Sequence, residues 1–340
     1  MRAVGYYTPQ PISNEQALVD LELPTPIARG FDLLVEIKAV SVNPVDTKVR
    51  KGQQPENNEA RILGYDASGV VKAVGENVTL FKPGDEVYYA GAINRPGTNS
   101  EFHLVDERIV GRKPSTLSFA QAAALPLTSI TVYEALFHRL KLNEPVAGAL
   151  PAVLITGGAG GVGSIAIQLV KQLSDLEVIA TASRPETTEW AKALGADYVI
   201  DHSKPLAGEY TKLGIKAPAF IFSVTHSVEH QQDLAEIIAP QGRLALIDDF
   251  GDDFHVINFK RKSISLHWEM MFTRPLLQTS DMIEQHRLLN HVAALVDAGK
   301  IRTTLSETLG TMTAANLKAA HALVEGGKMR GKAVLQGFAA

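Results

Sequence analysis

The sequence predicts an α/β protein in which a doubly wound parallel sheet is joined to a second, β-rich region. The first observation is a glycine-rich turn, Gly158-Ala-Gly160-Gly161-Val162-Gly163, which follows an apolar run at residues 152–156. The second is the alternation of strand-like and helical segments that continues to residue 248. Such alternation is typical of a parallel sheet covered by helices on both faces. The third is that the first 110 residues consist of short apolar segments separated by turns containing Pro and Gly.

Each element of the alternating region has a local reason. Residues 152–156 and 177–181 (AVLIT and EVIAT) are apolar runs of strand length, and residues 162–173 place their apolar side chains on one helical face. The same reasoning predicts three further strands and two further helices: strands at 198–200, 219–224 and 243–248, and helices at 186–194 and 229–238.

The β-rich region and the C-terminal segment are predicted in the same way. Pro126 breaks or kinks the helical pattern of residues 118–137. Thr313 is the expected N-cap of a helix that ends at Gly326-Gly327. The remaining predicted elements are strands at 33–42, 67–74, 86–90, 101–105, 303–309 and 332–336 and helices at 281–298 and 313–325.

The glycine turn predicts a binding site for the pyrophosphate of a dinucleotide. Gly158 is expected to permit the tight turn, Gly160 to let the backbone approach the phosphates, and Gly163 to let the helix pack on the strand. The helix that begins here offers free N–H groups, including those of Gly161 and Val162, and a partial positive charge to the anion.

The end of the second strand favours NADP(H) over NAD(H). An acidic residue about 20 positions beyond the glycines would bind the ribose 2′-hydroxyl of NAD. Here the strand is followed by Ser183 and Arg184, and no carboxylate occurs before Glu186. A hydroxyl and a guanidinium suit a 2′-phosphate. The alternative is that Arg184 is only a solvated residue at a strand end.

Composition limits the class of protein and its partners. The chain has 340 residues, which favours two domains, and a formal net charge of −4 with no basic run. Nucleic acid and anionic membrane are therefore not expected as partners. The sequence has no cysteine, no apolar stretch of 18 residues and no signal-peptide core at its N-terminus. These features favour a cytoplasmic location and exclude disulfides and thiolate zinc sites.

Several short motifs, taken in order, resemble those of one superfamily. They are Ser41-Val-Asn43-Pro-Val-Asp46, Gly64-Tyr65-Asp66-Ala-Ser-Gly69, Lys82-Pro-Gly-Asp85, Ala124-Leu-Pro126, Thr131-Val-Tyr133-Glu-Ala, the glycine turn, Ala193-Leu-Gly195-Ala-Asp197 and Gly331-Lys332-Ala-Val-Leu335. Together they resemble the medium-chain dehydrogenase/reductase superfamily. The similarity is to its zinc-free, quinone-oxidoreductase-like branch, which includes proteins called zinc-type alcohol dehydrogenase-like.

The resemblance implies a two-domain architecture. A GroES-like catalytic domain would comprise residues 1–125 and 270–340, and a Rossmann NADP-binding domain would comprise residues 126–269. The cofactor would lie in the cleft between the domains. Such proteins are commonly homodimers, and residues 263–268 are the candidate dimer strand because they form an apolar edge that needs cover.

The resemblance also argues against zinc. Zinc-dependent members have a cysteine and a histidine where this chain has Asn43 and Tyr65, and their third ligand falls near Leu127. Zinc prefers Cys, His or carboxylate ligands, so we expect no metal at this position. The HSVEH run at residues 226–230 has the spacing to hold a metal on one helix face, but paired surface histidines are the more common interpretation.

Five residues receive site roles from the resemblance. Tyr65 is the candidate proton donor or orienting hydrogen-bond donor, with packing of the cleft as the alternative. Asn43 and Thr131 are the expected contacts on the nicotinamide and ribose side. His202 is the expected contact to the adenosine phosphate, or alternatively a loop histidine. Lys332, with Arg330 as the alternative, is a candidate cation for the 2′-phosphate.

The expected function is NADPH-dependent reduction of a quinone or an α,β-unsaturated carbonyl compound, with no zinc involved. These acceptors take hydride readily because conjugation spreads the developing negative charge, which matters when no Lewis acid is present. The alternatives are an alkenal or enoyl reductase, or a non-catalytic NADPH-binding sensor or structural protein. A zinc alcohol dehydrogenase is the least favoured.

Overall fold

The computed structural model describes residues 1–57 and 59–339 and divides the chain into two compact units. The first unit contains Met1–Ile130 and Phe272–Ala340, and the second contains Thr131–Met271. The domain boundaries expected from the sequence, 125/126 and 269/270, lie close to these divisions. No helix among the described residues is long and apolar enough to cross a membrane.

The strands are numbered in chain order. They are β1 (Arg2–Tyr6), β2 (Val19–Glu22), β3 (Asp32–Ser41), β4 (Arg61–Ile62), β5 (Asp66–Val74), β6 (Glu86–Tyr89), β7 (Phe102–Asp106), β8 (Val110–Arg112), β9 (Leu150–Ile155), β10 (Glu177–Thr181), β11 (Tyr198–Ile200), β12 (Pro218–Ser223), β13 (Arg243–Leu246), β14 (Ser265–Trp268), β15 (Leu305–Thr311) and β16 (Lys332–Gln336).

The helices are numbered in the same way. They are α1 (Pro44–Gly52), α2 (Phe119–Ala123), α3 (Pro126–Tyr133), α4 (Gly161–Leu173), α5 (Pro185–Ala193), α6 (Leu206–Thr211), α7 (Ser227–Ile237), α8 (Thr273–Leu277), α9 (Glu284–Asp297) and α10 (Ala314–Glu325). A π-helical segment, Glu134–Arg139, follows α3.

The second unit is built on a parallel sheet of six strands in the order β11-β10-β9-β12-β13-β14. Its central strands are almost wholly buried, which explains why they are continuous apolar runs in the sequence. Strand order reverses between β9 and β12, because β10 lies on one side of β9 and β12 on the other. In doubly wound sheets ligands bind at the carboxyl ends of the strands beside such a reversal.

The first unit is β-rich and mostly antiparallel. A seven-stranded sheet has the order β15-β16-β3-β5-β6-β8, with β7 also paired to β3, and a smaller sheet has the order β2-β1-β4. The long strand β3 alternates buried and partly exposed residues, and its buried face joins the hydrophobic core of this unit. The predicted fold class, a GroES-like β-rich domain with a Rossmann parallel-sheet domain, is confirmed.

Helix α1 lies where the sequence analysis predicts none. Its signal is local: Asn43 and Asp46 form a capping box around Pro44 at the first helical position. Helix α6 is also missing from the prediction. In contrast, Thr313 caps α10 as predicted, with its Oγ1 accepting a hydrogen bond from Asn316 N at 3.1 Å.

Candidate functional site

The glycine turn connects β9 to α4 at the carboxyl edge of the parallel sheet. The left-handed residue of the turn is Gly157, with φ +64°, so the tight turn is made one residue before the predicted Gly158. Gly160 is the N-cap of α4 and has φ −71°, a conformation open to any residue. The predicted conformational role of Gly158 is therefore corrected to Gly157.

Two glycines are required by close packing within the turn. A Cβ on Gly158 would lie 2.7 Å from Ala180 Cβ on β10, and a Cβ on Gly163 would lie 2.3 Å from Gly157 O. Gly163 therefore lets the first turn of α4 pack directly on the loop, whereas the sequence predicts packing of the helix on the strand. Gly158 instead permits the close approach of the loop to β10.

The geometry of the turn fits a dinucleotide pyrophosphate. A Cβ on Gly160 would meet only Gly157 O, at 3.4 Å, so the space beside this backbone is open to a ligand. No side chain caps Gly160, and the first-turn amides of Gly161, Val162 and Gly163 have no helical partner because α4 begins there. Free amides at a helix N-terminus form an anion site.

Ser183 and Arg184 follow β10 on the same edge of the sheet. Ser183 is exposed, and Arg184 is the N-cap residue of α5. The guanidinium of Arg184 forms a 2.9 Å ion pair with Glu186, and both side chains are more than a third exposed. A bound 2′-phosphate would have to share or replace Glu186 as the partner of Arg184. The sequence shows this carboxylate but does not predict its pairing with Arg184.

His202 follows β11 and contacts the end of β10. Its Nδ1 lies 3.2 Å from Thr181 Oγ1, and Thr181 Oγ1 also accepts the Gly157 N–H at 2.9 Å. Thr181 therefore links the glycine turn to His202. No sequence pattern marked Thr181 or Gly157 as part of the site, because their roles depend on the alignment of neighbouring strands.

In the first unit, Asp66 organises a buried polar cluster with Asn43 and Lys332. Asp66 Oδ1 accepts the Leu127 N–H at 2.7 Å, and Asp66 Oδ2 accepts from Asn43 Nδ2 at 2.9 Å and from Lys332 Nζ at 3.0 Å. The side chains of Asp66 and Lys332 are 0% and 3% exposed. This is a buried ion pair whose remaining polar atoms also have partners.

The prediction that Lys332 contacts a 2′-phosphate does not fit its geometry. Besides Asp66, Lys332 Nζ donates to Val42 O at 3.1 Å and to Asn43 Oδ1. An ammonium has three hydrogens to donate, and three acceptors within the first unit engage them. The side chain is also buried. Lys332 therefore acts as a structural cation, and Asn43 has both ends of its amide engaged.

Asp46 supports the same cluster from the start of α1. Its carboxylate accepts the Asn43 N–H at 2.8 Å and the Gly64 N–H at 2.9 Å. Burial raises the pKa of Asp46 to about 7, although these hydrogen bonds and the charge of Lys332 lower it. The negative charge of Asp66 adds to the rise. The Asp46 carboxylate thus connects the backbone of Asn43 to that of Gly64, the residue before Tyr65.

Tyr65 is buried, with 2% of its surface exposed. Its ring packs edge-on against Phe272, with centroids 5.0 Å apart. Burial raises the pKa of Tyr65 well above its usual value, and the charge of Asp46 raises it further, while Arg61 lowers it. The hydroxyl therefore stays protonated at neutral pH, so Tyr65 is suited to donate a hydrogen bond rather than to ionise.

The side chains at the positions of the zinc ligands do not fit zinc. Asn43 is engaged by Lys332 and Asp66, Tyr65 is a protonated phenol, and Leu127 is aliphatic. An ammonium inside this cluster would repel a cation. Over residues 1–57 and 59–339, no group of three or more His, Asp or Glu side chains is placed to hold a metal ion.

Thr131 lies in α3, in the second unit, and is buried. The geometry of that unit brings together the glycine turn, Thr181 and His202 at one sheet edge. The expected contact of Thr131 with the nicotinamide and ribose side of the cofactor stays a prediction.

The fold and the glycine turn define the class as an oxidoreductase that uses a nicotinamide dinucleotide. Residues 29–128 match the alcohol dehydrogenase GroES-like domain, and residues 194–335 match the zinc-binding dehydrogenase family. A zinc-type alcohol dehydrogenase-like protein from Staphylococcus aureus is 39% identical over 336 residues, which cover 98% of this chain and 99% of that protein. The chain belongs to the medium-chain dehydrogenase/reductase superfamily.

Solved structures extend the similarity. A Rhizobium etli CFN 42 protein named as a zinc-dependent alcohol dehydrogenase is 62% identical, with a TM-score of 0.98 over 100% of this chain and 99% of that one. A quinone oxidoreductase from Coxiella burnetii is 27% identical, with a TM-score of 0.80 over 99% of both chains. Zinc in the names of relatives refers to those proteins, whereas the side chains described above do not suit it.

Proposed function

We propose that this protein is an NADPH-dependent oxidoreductase that reduces quinones or α,β-unsaturated carbonyl compounds by hydride transfer without zinc. The observation that carries the proposal is the buried cluster of Asn43, Asp66 and Lys332. Of the three positions that correspond to zinc ligands, Asn43 has its amide engaged by this cluster, next to the ammonium of Lys332, and the other two are Tyr65 and Leu127.

The choice of acceptor follows from the lack of metal ligands. The nicotinamide supplies hydride when the dinucleotide is bound. Without a Lewis acid to stabilise an alkoxide, the favoured acceptors are those that delocalise the negative charge they receive. A quinone or an enone does this, whereas a simple aldehyde does not. The similarity to a protein named quinone oxidoreductase supports the same acceptor class.

The residues of the chain have binding and orienting roles in this proposal. The amides of Gly161, Val162 and Gly163 bind the pyrophosphate. Tyr65 donates a hydrogen bond that orients the acceptor oxygen. Thr131 contacts the nicotinamide ribose. The proton that completes the reduction comes from solvent, because the raised pKa of Tyr65 makes its hydroxyl a poor acid.

The preference for NADPH over NADH rests on Ser183, Arg184 and His202. The sheet edge beyond β10 presents a hydroxyl, a guanidinium and an imidazole. The nearest carboxylate along the chain, Glu186, is neutralised by Arg184. A dianionic phosphate pairs more strongly with Arg184 than one exposed carboxylate does, because it carries more charge and more acceptor oxygens.

Kinetics with both cofactors test this proposal. The protein is purified without a histidine tag, and its metal content is measured. Initial rates are then compared for NADPH and NADH with a benzoquinone, an enone and a primary alcohol couple. We expect NADPH to be preferred by at least about tenfold in kcat/KM, a difference of roughly 1.4 kcal/mol. Equal use of NADH, or turnover only of the alcohol couple, would refute the proposal.

Two further outcomes separate the alternatives. Tight NADPH binding with no oxidation by any acceptor would favour a sensor or structural protein. A marked preference for the enone over the quinone would favour an alkenal or enoyl reductase.

We also propose that the protein is a homodimer that pairs through β14. This strand is one edge of the parallel sheet; Trp268, its last residue, and Met270, two residues further on, are 59% and 47% exposed. An exposed apolar edge strand requires cover. Light scattering should give twice the chain mass of 36.7 kDa, and Trp268→Glu should reduce it to that of one chain. A monomeric wild-type protein would overturn this proposal.

A further inference from the structure

Within the second unit, the chain beyond the edge strand β14 is held against the π-helical segment Glu134–Arg139. Glu269 is the first residue after β14, and its N–H donates to Leu246 O of β13 at 3.0 Å. The Glu269 carboxylate accepts a hydrogen bond from Arg139 Nε at 2.9 Å. Glu269 therefore connects the end of the sheet edge to the last residue of the π-helical segment.

The π-helical form of this segment brings its first and last residues towards one side. In an α-helix, residues five positions apart point about 140° away from each other, because each residue turns by about 100°. In a π-helix, i→i+5 hydrogen bonds place such residues more nearly above one another. Here the Leu140 N–H donates to Ala135 O at 2.9 Å. Glu134 and Arg139 are thereby both able to reach Glu269.

The carboxyl groups of Glu134 and Glu269 meet in the protein interior. Glu134 is 0% exposed, and so is the side chain of Glu269. Within residues 1–57 and 59–339, no N–H group or alcohol donates to Glu269 Oε1, and the hydrogen bond that Glu134 makes to Glu269 joins the two carboxyl groups. Ionised carboxylates only accept hydrogen bonds, so this contact requires a proton on one of the two groups.

The surroundings of the pair favour retention of that proton. Burial raises the pKa of Glu269, and the negative charge of Glu134 and the hydrogen bond to it raise the pKa further. The charge of Arg139 and its hydrogen bond lower the pKa. Arg139 supplies one positive charge, which matches only one of the two negative charges that the fully ionised pair would carry.

The other charged groups at this end of the sheet come from β13, β14 and the chain after the π-helical segment. Arg243 of β13 lies 3.4 Å from Glu144, which also pairs with Lys141. Burial lowers the pKa of His267 on β14, and the charges of Arg243, Arg139 and Lys141 lower it further. The His267 imidazole is therefore mainly neutral above pH 6.5. Within the segment, the His138 ring packs against the tyrosine that precedes it.

We propose that Glu134 and Glu269 share one proton, and that this proton and the Arg139 ion pair together hold the end of the edge strand β14 on the π-helical segment. Loss of the proton to solvent at alkaline pH leaves two buried negative charges beside one positive charge. Their repulsion favours detachment of Glu269 from the segment. The contact is thus a pH-sensitive device of the sheet edge, and it does not depend on which cofactor or acceptor the protein uses.

The direction of the pH dependence follows from the number of protons that each state binds. In the closed state the pKa of the pair is raised, whereas a detached Glu269 has its ordinary pKa of 4.5. Above pH 4.5, and until the closed pair itself ionises, the closed state binds one more proton than the open state. Opening therefore releases a proton and becomes more favourable as the pH rises, by up to about tenfold per pH unit.

Hydrogen exchange followed by mass spectrometry measures this opening on the whole chain, without turnover or added ligand. Peptides that contain residues 265–271 are followed from pH 6.5 to 9, and their rates are corrected for the intrinsic exchange rate at each pH. Relative to peptides of β9 and β10, we expect their opening equilibrium constant to rise by at least about tenfold over this range. A relative change of less than about twofold would overturn the proposal.

Glu134→Gln separates the shared proton from the other contacts. Its side-chain amide can donate to the Glu269 carboxylate, so the hydrogen bond remains although no proton is shared. Exchange of residues 265–271 in this variant should therefore be nearly independent of pH after the same correction. Glu144→Gln, which changes an exposed carboxylate after the segment, is the matched control and should follow the wild type. Thermal melts establish that each variant is folded.

Infrared difference spectra detect the proton itself. The difference between the wild type and Glu134→Gln at pH 6.5 should contain the C=O stretching band of a protonated carboxyl group, and this band should diminish as the pH is raised to 9. If the two proteins show the same band, no proton is shared and the inference is wrong. The inference also fails if the band is lost in the variant but exchange of residues 265–271 depends on pH equally in both proteins.

Discussion

Replacing Lys332 with methionine should destabilise the first unit strongly, because it leaves a buried charge without its partner. Asp66 is fully buried, and in the variant its Oδ2 would keep only the 2.9 Å hydrogen bond from Asn43 Nδ2. Asn43 Oδ1 would also lose its donor. Breaking a buried pair by removing one partner typically costs about 3–5 kcal/mol. Methionine matches the aliphatic part of lysine, so little of this loss would come from packing.

Hydrogen exchange followed by mass spectrometry is the appropriate assay because it resolves the two units. The two tryptophans, Trp190 and Trp268, both lie in the second unit, so their fluorescence does not report on the first. Peptides from β3 and β5 of Lys332→Met should lose protection by more than roughly 100-fold, the factor that corresponds to about 3 kcal/mol. Peptides from β9 and β10 provide the internal reference.

A double-mutant cycle identifies the cause of the loss. If Lys332 stabilises the unit by compensating Asp66, then Lys332→Met combined with Asp66→Asn should be clearly less destabilised than the sum of the single variants. A loss below about 1 kcal/mol in Lys332→Met, or additive losses in the cycle, would refute the reasoning. The contact would then be an incidental one.

Three other predictions concern the glycine turn, a buried histidine and Tyr65. Gly160→Ala should keep the wild-type melting temperature but weaken dinucleotide binding. Gly163→Ala should lower both the melting temperature and the affinity for the dinucleotide, because its Cβ would clash with backbone, 2.3 Å from Gly157 O. Calorimetry measures the affinity and thermal melts measure the stability. Burial lowers the pKa of His321 to about 3, whereas its value in the unfolded chain is 6.5. Between these two pH values the unfolded state binds more protons than the folded state. The free energy of unfolding should therefore decrease as the pH is lowered, by up to about 1.4 kcal/mol per pH unit. His321→Leu should therefore gain stability over the wild type as denaturation is measured from pH 6.5 down to 4, and a constant difference would contradict this. Tyr65→Phe should lower kcat/KM by more than about twofold with unchanged NADPH affinity if the hydroxyl orients the acceptor, and a smaller change would reduce Tyr65 to packing.

The second unit was the part of the fold most accessible from the sequence. Strands β10 and β11 match the predicted ranges 177–181 and 198–200, and α4 begins one residue before the predicted 162. Buried parallel strands are continuous apolar runs, and the glycine turn marks the boundary between strand and helix. Local patterns therefore determine most of this unit.

The polar cluster of the first unit was less accessible. Lys332 pairs with Asp66, 266 residues earlier in the chain, and no local pattern reports a pairing at that separation. The resemblance thus implied a cofactor contact for a lysine that the fold buries. Helix α1, which was not predicted, differs from this cluster because its signal is local. The capping box of Asn43 and Asp46 predicts a helix start from neighbouring residues alone.

The glycine turn shows what a local motif can predict and what it cannot. The motif predicts the nucleotide site, yet it does not assign the left-handed position, which belongs to Gly157. Nor does it indicate that Thr181 and Thr225 adjoin the turn, since those contacts depend on which strands are neighbours in the sheet.

The central claim is that this chain transfers hydride without zinc. The most direct measurement is a single-turnover reaction of protein whose zinc content is below about one ion per ten chains, mixed with NADPH and a benzoquinone in a stopped-flow instrument. We predict complete oxidation of the bound NADPH, at a rate that added zinc does not raise and that slows when the transferred hydrogen is deuterium. A reaction that proceeds only when stoichiometric zinc is restored would contradict the account.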